Sequence, residues 1–188
     1  MRKLMPALAI LAMIVALGGC ATKAYDDYAP QNKIRYSNNN RVNVGEFVYS
    51  ATHRGVRSDQ IENTAIGNFY IGTSVAELVR KATREELKNA GMVIRDDADL
   101  VVTGDVTVLK AADIGVTIDW SVGIAYTISK KSTNAKLFSR HYLHRATTGK
   151  LRWTQAAIVR VVHKQIAAAC DLFMRDPDVR SILDAPAR

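Results

Sequence analysis

Between Ile118 and Ser129 the chain alternates without a break. Ile118, Trp120, Val122, Ile124, Tyr126 and Ile128 fall on one face of an extended strand, and Asp119, Ser121, Gly123, Ala125, Thr127 and Ser129 on the other. Two faces so different cannot have the same surroundings. The apolar face should pack on helices, and the small polar face should meet solvent or a partner.

The flanking segments extend this strand into a sheet. Leu100–Lys110 is rich in Val and Thr and reads as a strand, with Ala111–Gly115 as the next turn. Lys130–Lys136 is a polar turn, and Leu137–Arg145 is a further strand before a turn at Thr147–Lys150. The three strands form an antiparallel meander. Upstream, Arg41–Tyr49 reads as a strand whose Val42, Val44 and Val48 share a face that Glu46 interrupts. Residues 51–72 lack periodicity and hold three glycines, the pattern of a long, functional loop.

Two helices are legible. Ser74 and Glu77 have the spacing of a capping box, Val75, Leu78, Val79 and Ala82 form an apolar stripe, and Gly91 ends the helix. Met92–Ile94 follows as a short strand, parallel to the first through a right-handed crossover, and Asp96 and Asp97 mark a turn. The second helix starts near Thr154. It buries Ala157, Ile158, Val161, Val162, Gln165, Ala168, Ala169, Leu172 and Phe173, turns Arg160, Lys164 and Asp171 outward, and stops at Asp176-Pro177. One more helical turn at Val179–Leu183 is an option for the tail. The expected fold is α/β (α+β): a two-layer sandwich in which two amphipathic helices cover one face of a mixed sheet of about four to five strands.

The first residues are an address. Arg2 and Lys3 precede an apolar run, Leu4 to Leu17, that is short of the ~20 residues a membrane-spanning helix needs. It ends in Leu17-Gly18-Gly19-Cys20, which resembles the lipobox of bacterial lipoproteins. That resemblance implies a signal peptide over 1–19, lipid on the Cys20 thiol and cleavage just before Cys20. With Ala21 rather than Asp next, it also implies the periplasmic face of the outer membrane. Each buried lipid CH₂ contributes ~0.8 kcal/mol, so several acyl chains anchor firmly. Residues 20–40 then read as a flexible tether, 41–175 as the domain and 176–188 as a C-terminal tail.

The formal charge of +8 becomes +6 once Arg2 and Lys3 are removed with the signal. A basic cytosolic chain suggests nucleic acid, but an exported one does not, so none is expected as a partner. With Cys20 lipidated, Cys170 has no partner for an intramolecular disulfide. Its helical setting beside Ala169 suits a buried, inert thiol.

The stretch "DADLVVTGDVTVL" at Asp97–Leu109, followed by "GVTIDWSVGIAYTI", is similar to a group of bacterial envelope lipoproteins. The group includes the YajG family, LpoB and CsgG, whose small α/β domain is like the N-terminal domain of TolB; the YajG type is the nearest pattern. The resemblance implies a non-enzymatic role, since members activate peptidoglycan synthases or build secretion pores. This chain is too short for the pore-forming hairpins. Apart from the lipidated cysteine, the group supplies no functional residue to carry over.

The residues themselves offer little chemistry. His141 and His144 are three apart on a strand and so face opposite sides, which prevents them from sharing a metal. Asp96, Asp97 and Asp99 are better explained by a turn, and the common hydrolase motifs are absent. No catalytic residue, cofactor or metal is expected. One constellation stays open: Lys130, Lys131, Lys136, Arg140, Arg145, Lys150 and Arg152 gather around the last strands. On a shared surface they would meet an acidic partner or lipid; otherwise they guard a sheet edge. The resulting expectation is an outer-membrane-anchored, non-enzymatic accessory module for an envelope protein complex. The alternative is a binder of an anionic lipid or glycan.

Overall fold

The computed structural model describes residues 28–63, 69–150 and 155–185. It contains strands β1 (Arg41–Tyr49), β2 (Gln60–Asn63), β3 (Phe69–Tyr70), β4 (Val93–Ile94), β5 (Leu100–Ile114), β6 (Thr117–Lys130) and β7 (Lys136–Gly149). Helices α1 (Val75–Asn89), α2 (Gln155–Arg175) and α3 (Pro177–Leu183) complete it, with a 3-10 turn at Ser50–Arg54. The signal segment, Cys20, the tether up to Asp27, Arg152 and Thr154 lie outside the described residues.

The expected sandwich is present, with seven strands in its sheet among the described residues rather than four to five. β5, β6 and β7 form the antiparallel meander, and β1 runs parallel to both β4 and β5. β1 pairs with β5 at Val101–Val106, and β2 pairs with it at Lys110–Ala111. β6 occupies β5 along its whole length, so β1 and β2 lie end to end on the opposite edge. The expected 51–72 loop therefore holds two short strands, which escape notice because pairs of two to four residues carry no readable period.

The alternation in β6 does what its pattern demands. Ile118, Trp120, Val122, Ile124, Tyr126 and Ile128 are all buried. Tyr126 stacks on Phe173 of α2 with ring centroids 4.1 Å apart and meets Phe47 edge-on at 5.9 Å. Its hydroxyl lies 3.0 Å from Thr83 Oγ1 and 3.3 Å from Cys170 Sγ, so the buried phenol has partners.

Several expectations need correction. β1 does not keep Val48 on the inner face. The pairing with β5 slips between Val44 and Phe47, a bulge at Gly45-Glu46 that moves Phe47 and Tyr49 inward and leaves Val48 53% exposed. Gly45 allows the bulge to sit close to β5, since a Cβ there would be 3.1 Å from both Thr103 Cγ2 and Val101 Cγ1. β5 and β7 each run four residues past their expected ends. Ser74 is the N-cap of α1, but its side chain makes no capping bond; the Ser58 carbonyl takes the Val75 amide at 2.8 Å instead. Gly91, at φ +100°, ends the helix as expected. Leu172 is 39% exposed rather than buried.

The largest correction concerns both flanks of the domain. Residues 28–40 are not a free spacer: Tyr28, Ile34 and Tyr36 are buried in the core. α3 is likewise part of the domain, with Val179 and Leu183 fully buried. Pro177 at its first turn and Asp176, whose carboxylate accepts the Asp178 amide at 2.9 Å, start it locally.

Candidate interaction surfaces

Because α1 and α2 pack on one side of the sheet, no helix among the described residues covers the other side of β5–β6–β7. Ser121, Ala125, Thr127 and Ser129 are partly exposed on it, and Asp119, Ser139, His141, Leu143, Arg145 and Thr147 are exposed. Short hydrogen-bonding side chains link neighbouring strands here: Thr127 Oγ1 to Ser139 Oγ at 3.2 Å, and Thr147 Oγ1 to Asp119 at 2.7 Å. Thr107 and His141 bridge at 2.8 Å across the middle strand. Gly123 makes room for that bridge, since a Cβ there would sit 2.7 Å from Thr107 Oγ1 and 3.0 Å from His141 Nε2. The result is a broad, largely polar surface on which Leu143 is also exposed.

The basic constellation does not form one patch. Lys130, Lys131 and Lys136 stay together at the β6–β7 turn. The Lys131 amide and the Ser132 amide there bond the backbone and carboxylate of Asp99, at 2.8 and 2.7 Å. Arg140 pairs across from Tyr126, on the helix side, and is bound by Asp176 and, at 2.9 Å, by Asp178. Arg145 pairs across from Ser121 on the open face. Nine residues of strand, roughly 30 Å, separate Lys136 from Arg145. Lys150 lies at the far end, 2.5 Å from the buried carboxylate of Asp113. Alternation splits the set: a one-residue step on a strand reverses the face.

His141 and His144 face opposite sides, as their spacing requires: His144 Nε2 meets Gln165 of α2 at 2.9 Å while His141 lies on the open face. Among the described residues no three His, Cys, Asp or Glu side chains come together as a metal site. The acidic turn is structural. The Arg95 guanidinium on Asp97, and the Ser132 amide on Asp99, hold both carboxyls below their usual range. Those two residues line an open groove of about 780 Å³ with Asn40, Arg41, Lys130 and Ile182, where both charge signs occur and nothing converges.

A second surface escaped the sequence reading. Residues 28–40 form a strap across the helix layer, held by Glu86 of α1. Glu86 is fully buried and accepts the Tyr28 hydroxyl at 2.6 Å, the Gln31 amide at 2.9 Å and the Asn32 amide at 3.1 Å. Further on, the Tyr36 hydroxyl reaches the Met174 carbonyl at 3.2 Å, and the Ser37 and Asn38 amides meet Asp184 at 2.7 and 3.1 Å. The ring of Tyr28 stands edge-on to His163 of α2 at 5.2 Å. Burial, with Lys81 nearby, lowers the pKa of that histidine. Glu86 continues the apolar stripe one turn beyond Ala82, and an acid in that position is the signal that could have revealed the strap.

No family model matches the sequence, and no curated protein does. The fold, however, is shared with solved structures. It is similar to protein XCC0632 from Xanthomonas campestris, of family DUF330, at TM-score 0.62 and 9% identity, covering 84% of this chain and 94% of that one. An uncharacterized protein matches at TM-score 0.51 and 10% identity, covering 73% and 91%. A minor lipoprotein from Acinetobacter baumannii is more distant, at TM-score 0.41 and 8% identity over 71% and 92%, a likeness too loose to transfer anything. No helix among the described residues is long and apolar enough to cross a membrane.

Proposed function

We propose that this chain is a lipoprotein held at the periplasmic face of the outer membrane by lipid on Cys20. There it serves an envelope protein complex as a non-enzymatic binding module, in cell-wall synthesis, transport or secretion. The observation that carries this reading is the uncovered face of β5–β6–β7. Its side chains are small, polar and tied to one another across strands, so little side-chain entropy is lost when a partner docks. The Leu17-Gly18-Gly19-Cys20 pattern supports the anchor, and the YajG, LpoB and CsgG resemblance supports an accessory role.

The test is site-specific photo-crosslinking in cells at native expression. A crosslinker at Ser121, Thr127 or Ser139 should trap one envelope protein, and one at Glu62 or Asn89 should not. If the three open-face positions trap nothing above background, the docking face is refuted. For the anchor, Cys20→Ser should leave an uncleaved precursor; a normally processed, membrane-bound product would refute lipidation.

A further inference from the structure

The helix side of the domain is net positive. The strap from Tyr28 to Tyr36 together with α1 and α2 carries nine Lys and Arg against four Asp and Glu, a net of +5. With Asp176, Asp178, Arg180 and Asp184 of the α3 segment, which pack beside it, the helix side carries +3, half of the +6 of the mature chain. One of the acids, Glu86, is buried under the strap and absent from the surface. Lys33, Arg35, Lys88, Arg160, Lys164 and Arg175 are exposed there.

The anchor leaves the domain on this same side. With Tyr28 fixed between Glu86 and His163, eight residue steps separate it from Cys20. Fully extended they span at most about 28 Å. That is shorter than α2, whose 21 residues rise roughly 32 Å. A chain lipidated at Cys20 therefore holds the region around Tyr28, Arg160 and Lys164 close to the bilayer.

From these two facts we infer that the outer surface of α1, α2 and the strap lies on anionic lipid headgroups, with phosphate as the recognised group. This rests on lipidation of Cys20. Each basic side chain near an anionic bilayer adds to the attraction, so a net positive helix side sets an orientation. The consequence is directional: the open face of the sheet, on the opposite side of the sandwich, points away from the membrane.

The lipidated chain in vesicles tests this. A fluorophore is placed on Lys164→Cys or on Thr127→Cys, and quenching by headgroup-labelled nitroxide lipid is compared. The buried Cys170 stays unlabelled. In vesicles containing phosphatidylglycerol, the Lys164 site should be quenched severalfold more than the Thr127 site. That contrast should fall by half or more in 0.5 M salt, in pure phosphatidylcholine, or with Lys33→Glu and Arg160→Glu. Equal quenching at the two sites, or a contrast that ignores lipid charge and salt, overturns the inference. If intact mass shows no lipid on Cys20, the anchor itself is refuted. Sedimentation of that chain with vesicles then decides the surface: salt-sensitive retention on phosphatidylglycerol alone supports it, and no retention overturns it.

Discussion

Glu86 and Tyr28 are 58 positions apart in sequence and 2.6 Å apart in space. Their bond, with the Gln31 and Asn32 amides on the same carboxylate, converts what reads as a spacer into part of the fold. Glu86→Ala should cost about 1–3 kcal/mol in urea unfolding, because it strands several donors on one buried acceptor site. Hydrogen exchange should speed up over residues 28–36 while β6 stays protected. Tyr28→Phe, which removes one bond and leaves the carboxylate, should cost nearer ~1 kcal/mol. A Glu86→Ala chain with unaltered exchange at 28–36 would contradict the strap.

Gly104 faces Phe47 at the centre of the β1–β5 pairing. A Cβ at 104 would lie 2.2 Å from Phe47 Cε1, inside any real contact. Gly104→Ala should therefore destabilise by about 1–3 kcal/mol through overpacking. Phe47→Leu should recover part of it, so that the double variant is less destabilised than the sum of the single ones. Additive costs would show that the ring is not what the methyl meets.

Asp176 joins α3 to β7. Burial raises its pKa, but the Tyr142 hydroxyl at 2.5 Å, the Asp178 amide and Arg140 outweigh burial, and the net shift is downward. A carboxyl lowered in the folded state stabilises fully above its unfolded value, about 3.9, and that contribution fades as pH falls toward the folded one. Below about pH 4, α3 should loosen before the sheet does, seen as faster exchange at residues 178–184. Asp176→Asn should remove that acid-dependent step and leave α3 loosened already at pH 7.

Cys170 is 1% exposed, and burial pushes its thiol up to about 11 despite hydrogen bonds with Tyr126 and Thr83. At pH 8 it should resist alkylation by at least a hundredfold relative to the unfolded chain, and its modification should follow global unfolding in urea. Rapid labelling of the native chain would place the thiol outside the core.

The long elements were readable because each repeats one rule many times. β6 states its face six times over, and α1 shows both its stripe and its terminal glycine. The strap states nothing local: Tyr28, Ile34 and Tyr36 keep no period, and their partners lie on α1 and α2, far along the chain. β2 and β3 are too short for a pattern, and depend on β5 for their existence. The basic constellation was misleading for a different reason. Its members are near in sequence, yet Arg140 and Arg145 differ by an odd number of residues on one strand, so strand geometry alone already separates them.

The strap's fastenings are spread over the whole chain: residue 86, then 174, then 184. Chains are made from the amino end, so residues 28–40 emerge first and their last fastenings emerge last. The strap therefore closes in stages, its first fastening as soon as α1 is present and its last only with residue 184. A domain missing its final helix would keep Tyr28 on Glu86 but lose the hold of Asp184 on Ser37 and Asn38, so the strap would be closed at its start and open at its end.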